Sequence, residues 1–255
     1  MIKMIDTHSH AYVPKFEADR GEMLSRAKEV LSHIFLPNID LESAPAMQAL
    51  ADGDPDFLHP MMGLHPCSVK EDYQAVLGQM EALLENGTYA GIGETGLDYY
   101  WDKTFTEQQK DSLRRHIAWA KAKDLPLILH CRDSMDDVIE IVKEGQDGNL
   151  RGIFHCFNGN VEQGKKIIDL GFLLGIGGVL TYKNSGVAET VAQLPLASMV
   201  LETDAPYLTP VPHRGKRNES SYVPIVARKL AETLKLPLRE IAETTNQNAL
   251  ELFHL

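Results

Sequence analysis

The chain has 255 residues, 44 % apolar and 24 % charged, an ordinary balance for a globular protein and long enough for one large domain. Its formal net charge of −11 argues against a broad basic surface gripping duplex nucleic acid, although a local basic site or bound cations could still hold a strand end. No apolar run approaches the roughly 20 residues that span a bilayer, and no basic segment precedes a long apolar core, so neither a membrane span nor a secretory leader is expected. Three cysteines, Cys67, Cys131 and Cys156, form no CxxC pair and leave an odd count, which points to free thiols in a cytoplasmic protein.

In chain order, short apolar runs rich in β-formers predict strands over residues 2–7, 33–39, 58–63, 89–94, 125–129, 152–155, 172–177 and 199–202. Between them, helical spacing predicts helices over 17–32 (interrupted by Gly21), 69–85, 106–123, 134–143, 160–170 and 185–193. Two more follow over 224–234 and 238–254, split by Pro237. Strands alternating with helices imply right-handed βαβ units and a parallel sheet. Eight such units in this length predict a single-domain α/β protein over residues 1–255, a (β/α)8 TIM barrel.

The carboxyl ends of the strands then meet on one face, where barrel enzymes build their sites. Strand one ends in Asp6-Thr7-His8-Ser9-His10, whose two imidazoles share a face by the period of two. Strand three leads to His65, strand four to Glu94 and Asp98, strand five to His130, Cys131 and Arg132, strand six to His155, and strand eight to Glu202 and Asp204. One divalent ion takes three or four protein ligands. His8, His10, Glu94, His130, His155 and Asp204 are six, including a carboxylate able to bridge, and suit two ions about 3.5–4 Å apart. The mix of imidazole and carboxylate fits Zn, Mn, Co or Fe, and Mg less comfortably.

The neighbours carry open alternatives. Glu202 shares a face with Asp204, so it either enters the site as a third catalytic carboxylate beside Asp204 and Glu94 or tunes it. His65 and Asp98 are candidates for substrate contact or for orienting ligands. Arg132 either meets an anionic substrate through its fork of donors or pairs with a carboxylate such as Glu202. Cys131 and Cys156 are expected to face barrel–helix packing. His33, His59, His116 and His254 lie away from the site face and read as structural or solvated. The loop Pro212-His213-Arg214-Gly215-Lys216-Arg217-Asn218 is basic against the global trend, and Arg214, Lys216 and Arg217 are expected over the metal face, where they would attract phosphate.

These stretches together resemble the TatD family of metal-dependent deoxyribonucleases, within the amidohydrolase-like metal-dependent hydrolases. The motifs carrying the resemblance include Gly63-Leu64-His65-Pro66, Gly93-Glu94-Thr95-Gly96-Leu97-Asp98-Tyr99, His155-Cys156-Phe157-Asn158-Gly159, Glu202-Thr203-Asp204-Ala205-Pro206-Tyr207 and Arg214 to Glu219. The resemblance implies the same six ligands with Glu94 bridging, a TIM barrel, and Mg-supported 3′-to-5′ exonuclease activity on DNA, in some members RNA or aminoacyl-tRNA chemistry. Ser220 stands where the family usually has proline, which puts the loop over the substrate in question; Thr95 takes a variable place.

The expected function is therefore hydrolysis of phosphodiester bonds in DNA, at single-stranded ends, supported by two divalent ions (Mg, Mn or Zn). Asp204 would be ligand and general base, and His65, Arg132 and the basic loop would position phosphates. The alternatives are a metal-dependent amide or ester hydrolase (a cyclic amidase or an aminoacyl-tRNA deacylase), or a partner-binding protein with a structural metal, whose site would be closed to water. No stable protein partner is implied.

Overall fold

A computed structural model describes residues 2–255. The elements run β1 (Met4–Asp6), α1 (Arg20–Val30), β2 (Leu31–Pro37), α2 (Ala44–Asp52), β3 (Leu58–Met62), α3 (Tyr73–Asn86), β4 (Gly91–Asp98), α4 (Thr106–Lys123), β5 (Leu127–Arg132) and α5 (Met135–Gly145). They continue with β6 (Gly152–Phe154), α6 (Val161–Asp169), β7 (Phe172–Ile176), α7 (Val187–Val191), β8 (Met199–Leu201), α8 (Val223–Leu234) and α9 (Leu238–Phe253). The eight strands pair in sequence order, all parallel. The last strand returns to the first: the Thr7 amide donates to the Leu201 carbonyl at 3.0 Å, and Ser9 bridges Ala205. This is the expected (β/α)8 barrel.

Two apolar layers hold it. Outside the sheet, one face of each helix packs on the strands; α5 buries Val138, Ile139, Ile141 and Val142 at helical spacing. Inside, Ile5, Phe35, Met61, Ile128, Ile153 and Val200 fill the lumen. Phe253 at the end of α9 stacks on Phe35 with ring centroids 3.6 Å apart, so the last helix plugs the amino-terminal end. Polar groups at the opposite end therefore sit on a low-dielectric floor.

Several boundaries differ from expectation, and the differences matter for the site. Strand β4 runs on to Asp98 and β5 to Arg132, four and three residues beyond the apolar cores that define them in sequence. Their register pairs Gly96 with His130 and Asp98 with Arg132. At Gly96, φ is +135° and a Cβ would collide with the His130 carbonyl, so only glycine lets β4 pass here. Helix α2 was not expected: it has nine residues, and Pro45 reads as a breaker although a first helical turn tolerates it. Gly21 falls in the first turn of α1 and does not interrupt it.

Candidate metal centre

His8, His10, Glu94, His155 and Asp204 converge at the carboxyl end of the barrel with His130 and His65. His8 and His10 lie just beyond β1, and their Nε2 atoms face one another at 3.3 Å. Glu94 stands between two groups. Its Oε2 lies 3.2 Å from His8 Nε2 and 3.4 Å from His10 Nε2. Its Oε1 lies 3.0 Å from His130 Nδ1, 3.5 Å from His65 Nε2 and 4.0 Å from His155 Nε2. Asp204 Oδ1 completes the first group, 3.5 Å from His10 Nε2 and 3.8 Å from His8 Nε2.

The outer nitrogens fix which inner atoms carry lone pairs. His10 Nδ1 lies 3.2 Å from the Pro37 carbonyl, which can only accept, so Nε2 is the bare nitrogen. His130 lies between two carboxylates, Nε2 3.0 Å from Asp98 Oδ2 and Nδ1 3.0 Å from Glu94 Oε1, so a proton on Nε2 leaves Nδ1 bare toward Glu94. His155 Nδ1 lies 2.9 Å from Glu202 Oε1, a close ion pair off the line of a hydrogen bond, and its Nε2 faces Asp204 and Glu94. Bare nitrogens thus face carboxylate oxygens, acceptor against acceptor, with His8 Nδ1 buried and unpartnered as well. Such a cluster calls for positive charge at its centre. The imidazoles supply it as protons: burial works against the charged form, but the facing carboxylates outweigh it and push His10 up to about 9 and His155 up to about 10. Divalent cations fit the same donors, in the proportions zinc or manganese accepts.

His65 differs from the others. Its Nδ1 accepts the Cys67 amide at 3.1 Å, so the proton sits on Nε2 and the ring donates toward Glu94 instead of ligating.

The polypeptide around the centre is anchored from below. Asp6 is fully buried and accepts from the His8 and Thr203 amides and, at 2.6 Å, from the Thr203 hydroxyl, tying the ends of β1 and β8 together. Burial pushes its carboxyl up to about 7. Asp204 follows in the left-handed region at φ 57°, a conformation aspartate tolerates better than most residues. Burial raises the Asp204 carboxyl, and the imidazoles of His10, His155 and His8 together more than reverse this, leaving it below the usual carboxylate range.

A model of the family described as TatD related DNase matches residues 5–254. The chain belongs to the TatD family. The chain is 37 % identical over 254 residues to the metal-dependent hydrolase YabD of Bacillus subtilis, covering 99 % of both chains. It is 32 % identical over 223 residues to a metal-dependent hydrolase, TatD, of Mycobacterium tuberculosis, covering 85 % of this chain and 83 % of that one. The crystal structure of YjjV, a TatD homologue from Escherichia coli, superposes with a TM-score of 0.93 at 32 % identity, covering 100 % of this chain and 99 % of that one. This TatD-family chain is a metal-dependent hydrolase on a TIM barrel. Among the described residues no helix is long and apolar enough to cross a membrane.

The centre opens into a cavity of about 740 Å³ lined by His10, His65, Glu94, Asp98, His130, His155 and Asp204. Arg132 lines it too, without a carboxylate partner; its guanidinium lies 3.8 Å from the Tyr100 ring centroid. Two open alternatives are decided here, and two expectations need correction. Glu202 does not enter the cavity: it is 1 % exposed, wedged behind His155, accepts the Cys156 amide at 2.6 Å, and sits against Gly175, where any Cβ would overlap its carboxylate. Asp98 touches the cavity, but its carboxylate is spent on His130 and on the Tyr100 and Trp101 amides. The basic loop does not overhang the metals. Arg217 forms a two-pronged ion pair with Asp19 at 2.7 and 2.6 Å over the Phe16 ring, Arg214 stacks on Tyr182, and Lys216 points to solvent. Finally, Cys156 reaches the cavity rim because its φ of 48° breaks the strand alternation, whereas Cys131 packs in the outer apolar layer as expected.

Ser220 lies behind the centre, not over the substrate: buried, its hydroxyl meets that of Ser9 at 3.0 Å. Trp101 and Tyr207, which carry no expected role in the sequence, also line the cavity. The signal for Trp101 was present as two adjacent aromatics, Tyr100-Trp101, after a strand's carboxyl end.

Proposed function

We propose that this chain hydrolyses phosphodiester bonds, with single-stranded DNA ends as substrate and two divalent cations as cofactors. The observation that carries the reading is the position of Glu94, with one oxygen toward His8 and His10 and the other toward His130 and His155. A carboxylate between two imidazole groups suits a pair of cations, and the pair suits in-line displacement at phosphorus. His8, His10 and Asp204 would hold one cation, His130 and His155 the other, and Glu94 both. When bound, such cations lower the pKa of a water and polarise a phosphoryl oxygen.

The remaining work falls to the chain's own residues. Asp204, held ionised by its imidazole neighbours, faces the cavity and takes the proton from the attacking water. The Arg132 guanidinium, which lines the same cavity, offers donors to the phosphate, and His65 stands beside Glu94 with its Nε2–H directed into the centre. Because the chain is acidic overall, the site holds a strand end instead of a duplex.

The test is a panel of single-stranded and duplex DNA, RNA, aminoacyl esters and cyclic amides, each assayed with Mg, Mn and Zn. Release of nucleotides from single-stranded DNA is expected. Turnover of amides or esters alone would replace this reading with the acyl-hydrolase alternative.

A further inference from the structure

We propose that Trp101 is the stacking wall for an unpaired nucleobase next to the scissile phosphate, and so a specificity-determining residue; this rests on the phosphodiesterase reading above. Trp101 is 67 % exposed and Tyr100 is 55 % exposed, an unusual amount of aromatic surface to leave in water. Neither ring is needed for packing, yet the loop that carries them is pinned. Asp98 Oδ1 accepts the Tyr100 amide at 2.9 Å and the Trp101 amide at 3.1 Å. The other oxygen of the same carboxylate holds His130. One side chain therefore fixes the backbone that carries the indole relative to His130.

The chemistry of the surroundings selects the occupant. The two rings meet edge to face with centroids 4.9 Å apart, and the Arg132 guanidinium lies 3.8 Å from the Tyr100 centroid and 5.3 Å from that of Trp101. Trp101 and Arg132 line the metal cavity together, so a flat π-surface stands beside an unpaired planar cation. A nucleotide offers the matching pair, a base to stack and a phosphate to meet the guanidinium. Tyr207, 42 % exposed, lines the same cavity. A base can reach such a wall only when unpaired and unstacked, which requires a single-stranded end.

The first measurement compares an intact oligonucleotide with one carrying abasic residues at its terminal positions. Trp101→Ala should lower kcat/KM on the intact strand by roughly 10- to 100-fold, the range seen when one base loses an aromatic partner. The preference for intact over abasic strand should collapse in Trp101→Ala and survive in Trp101→Phe. An unchanged preference in Trp101→Ala, or equal losses in the Ala and Phe variants, would overturn the proposal. The second measurement follows tryptophan fluorescence as metal-loaded protein is titrated with a hydrolysis-resistant phosphorothioate oligothymidylate. Only two tryptophans are present, and Trp119 is 5 % exposed, so quenching that disappears in Trp101→Phe reports stacking at residue 101. Quenching without cleavage of any strand would uphold the wall and remove the phosphodiesterase reading. Cleavage without quenching would remove the wall and leave that reading intact.

Discussion

Glu202 stands directly behind His155, with Oε1 2.9 Å from the imidazole Nδ1 and the whole side chain sealed from solvent. The carboxylate thereby favours the proton on Nδ1, leaves Nε2 facing Asp204 and Glu94, and would raise the basicity of that nitrogen toward a cation.

Glu202→Gln should weaken cation binding by about 10- to 100-fold, the cost typical of removing a carboxylate behind a ligating histidine. The check is a competition titration against a chelator of known affinity. An unchanged dissociation constant would mean His155 is oriented by packing alone.

Asp204→Asn, assayed at saturating metal, should lose at least ~100-fold in kcat, the scale of a general base. A metal-loaded Asp204→Asn variant that kept the wild-type rate would move the proton-accepting role elsewhere in the cavity.

Replacing both His8 and His10 by alanine should strip one cation and abolish turnover while leaving the barrel folded, because the lumen core of Ile5, Phe35 and Ile128 lies beneath them. Metal analysis and circular dichroism on the same sample decide it. Retention of both cations would dismantle the ligand assignment.

Arg132 and Arg217 should behave oppositely. Arg132→Ala removes an unpaired guanidinium from the cavity and should raise KM for a DNA strand roughly tenfold, the order of a charge-assisted contact. Arg217→Ala breaks its pair with Asp19 and should leave KM unchanged while lowering the melting temperature. A rise in KM for Arg217→Ala would restore the basic loop to the substrate site.

His116 gives the fold a pH dependence of its own. It is fully buried; Nε2 accepts the Leu64 amide at 3.0 Å and Nδ1 donates to the Ser112 carbonyl at 2.7 Å, a neutral imidazole by construction. Burial lowers its pKa from 6.5 to about 4. The unfolded chain therefore takes up this proton first, so the contribution is complete above pH 6.5 and is lost as pH falls toward 4, up to about 3 kcal/mol. Urea unfolding of metal-free protein at pH 7 and 4.5 should show a smaller loss for His116→Gln than for the wild type. Parallel losses would assign the acid sensitivity to other groups.

The barrel and its polar face were legible in the sequence because both rest on local periodicity. Apolar runs marked all eight strands, and the spacing of Leu113, Ile117 and Ala120 marked α4 from end to end. The meeting of His8, His10, His130 and His155 was legible because strand ends in a parallel barrel share one side. Helix α2 was not, since Pro45 in a first turn carries the same local signal as Pro in a loop.

By itself, then, the sequence determined the architecture, the side of the barrel that carries chemistry, and the residue types that meet there. Tertiary structure alone decided the role of each group beyond that circle. Glu202 and Asp204 differ by two residues, yet one is walled in by Gly175 and the other opens to the cavity. Arg132 and Arg217 are the same side chain, but Asp19, nearly two hundred residues from Arg217 in sequence, pairs with that one, while Arg132 meets only aromatic rings. Period and spacing act along the chain, whereas burial and partner choice depend on what the fold brings alongside.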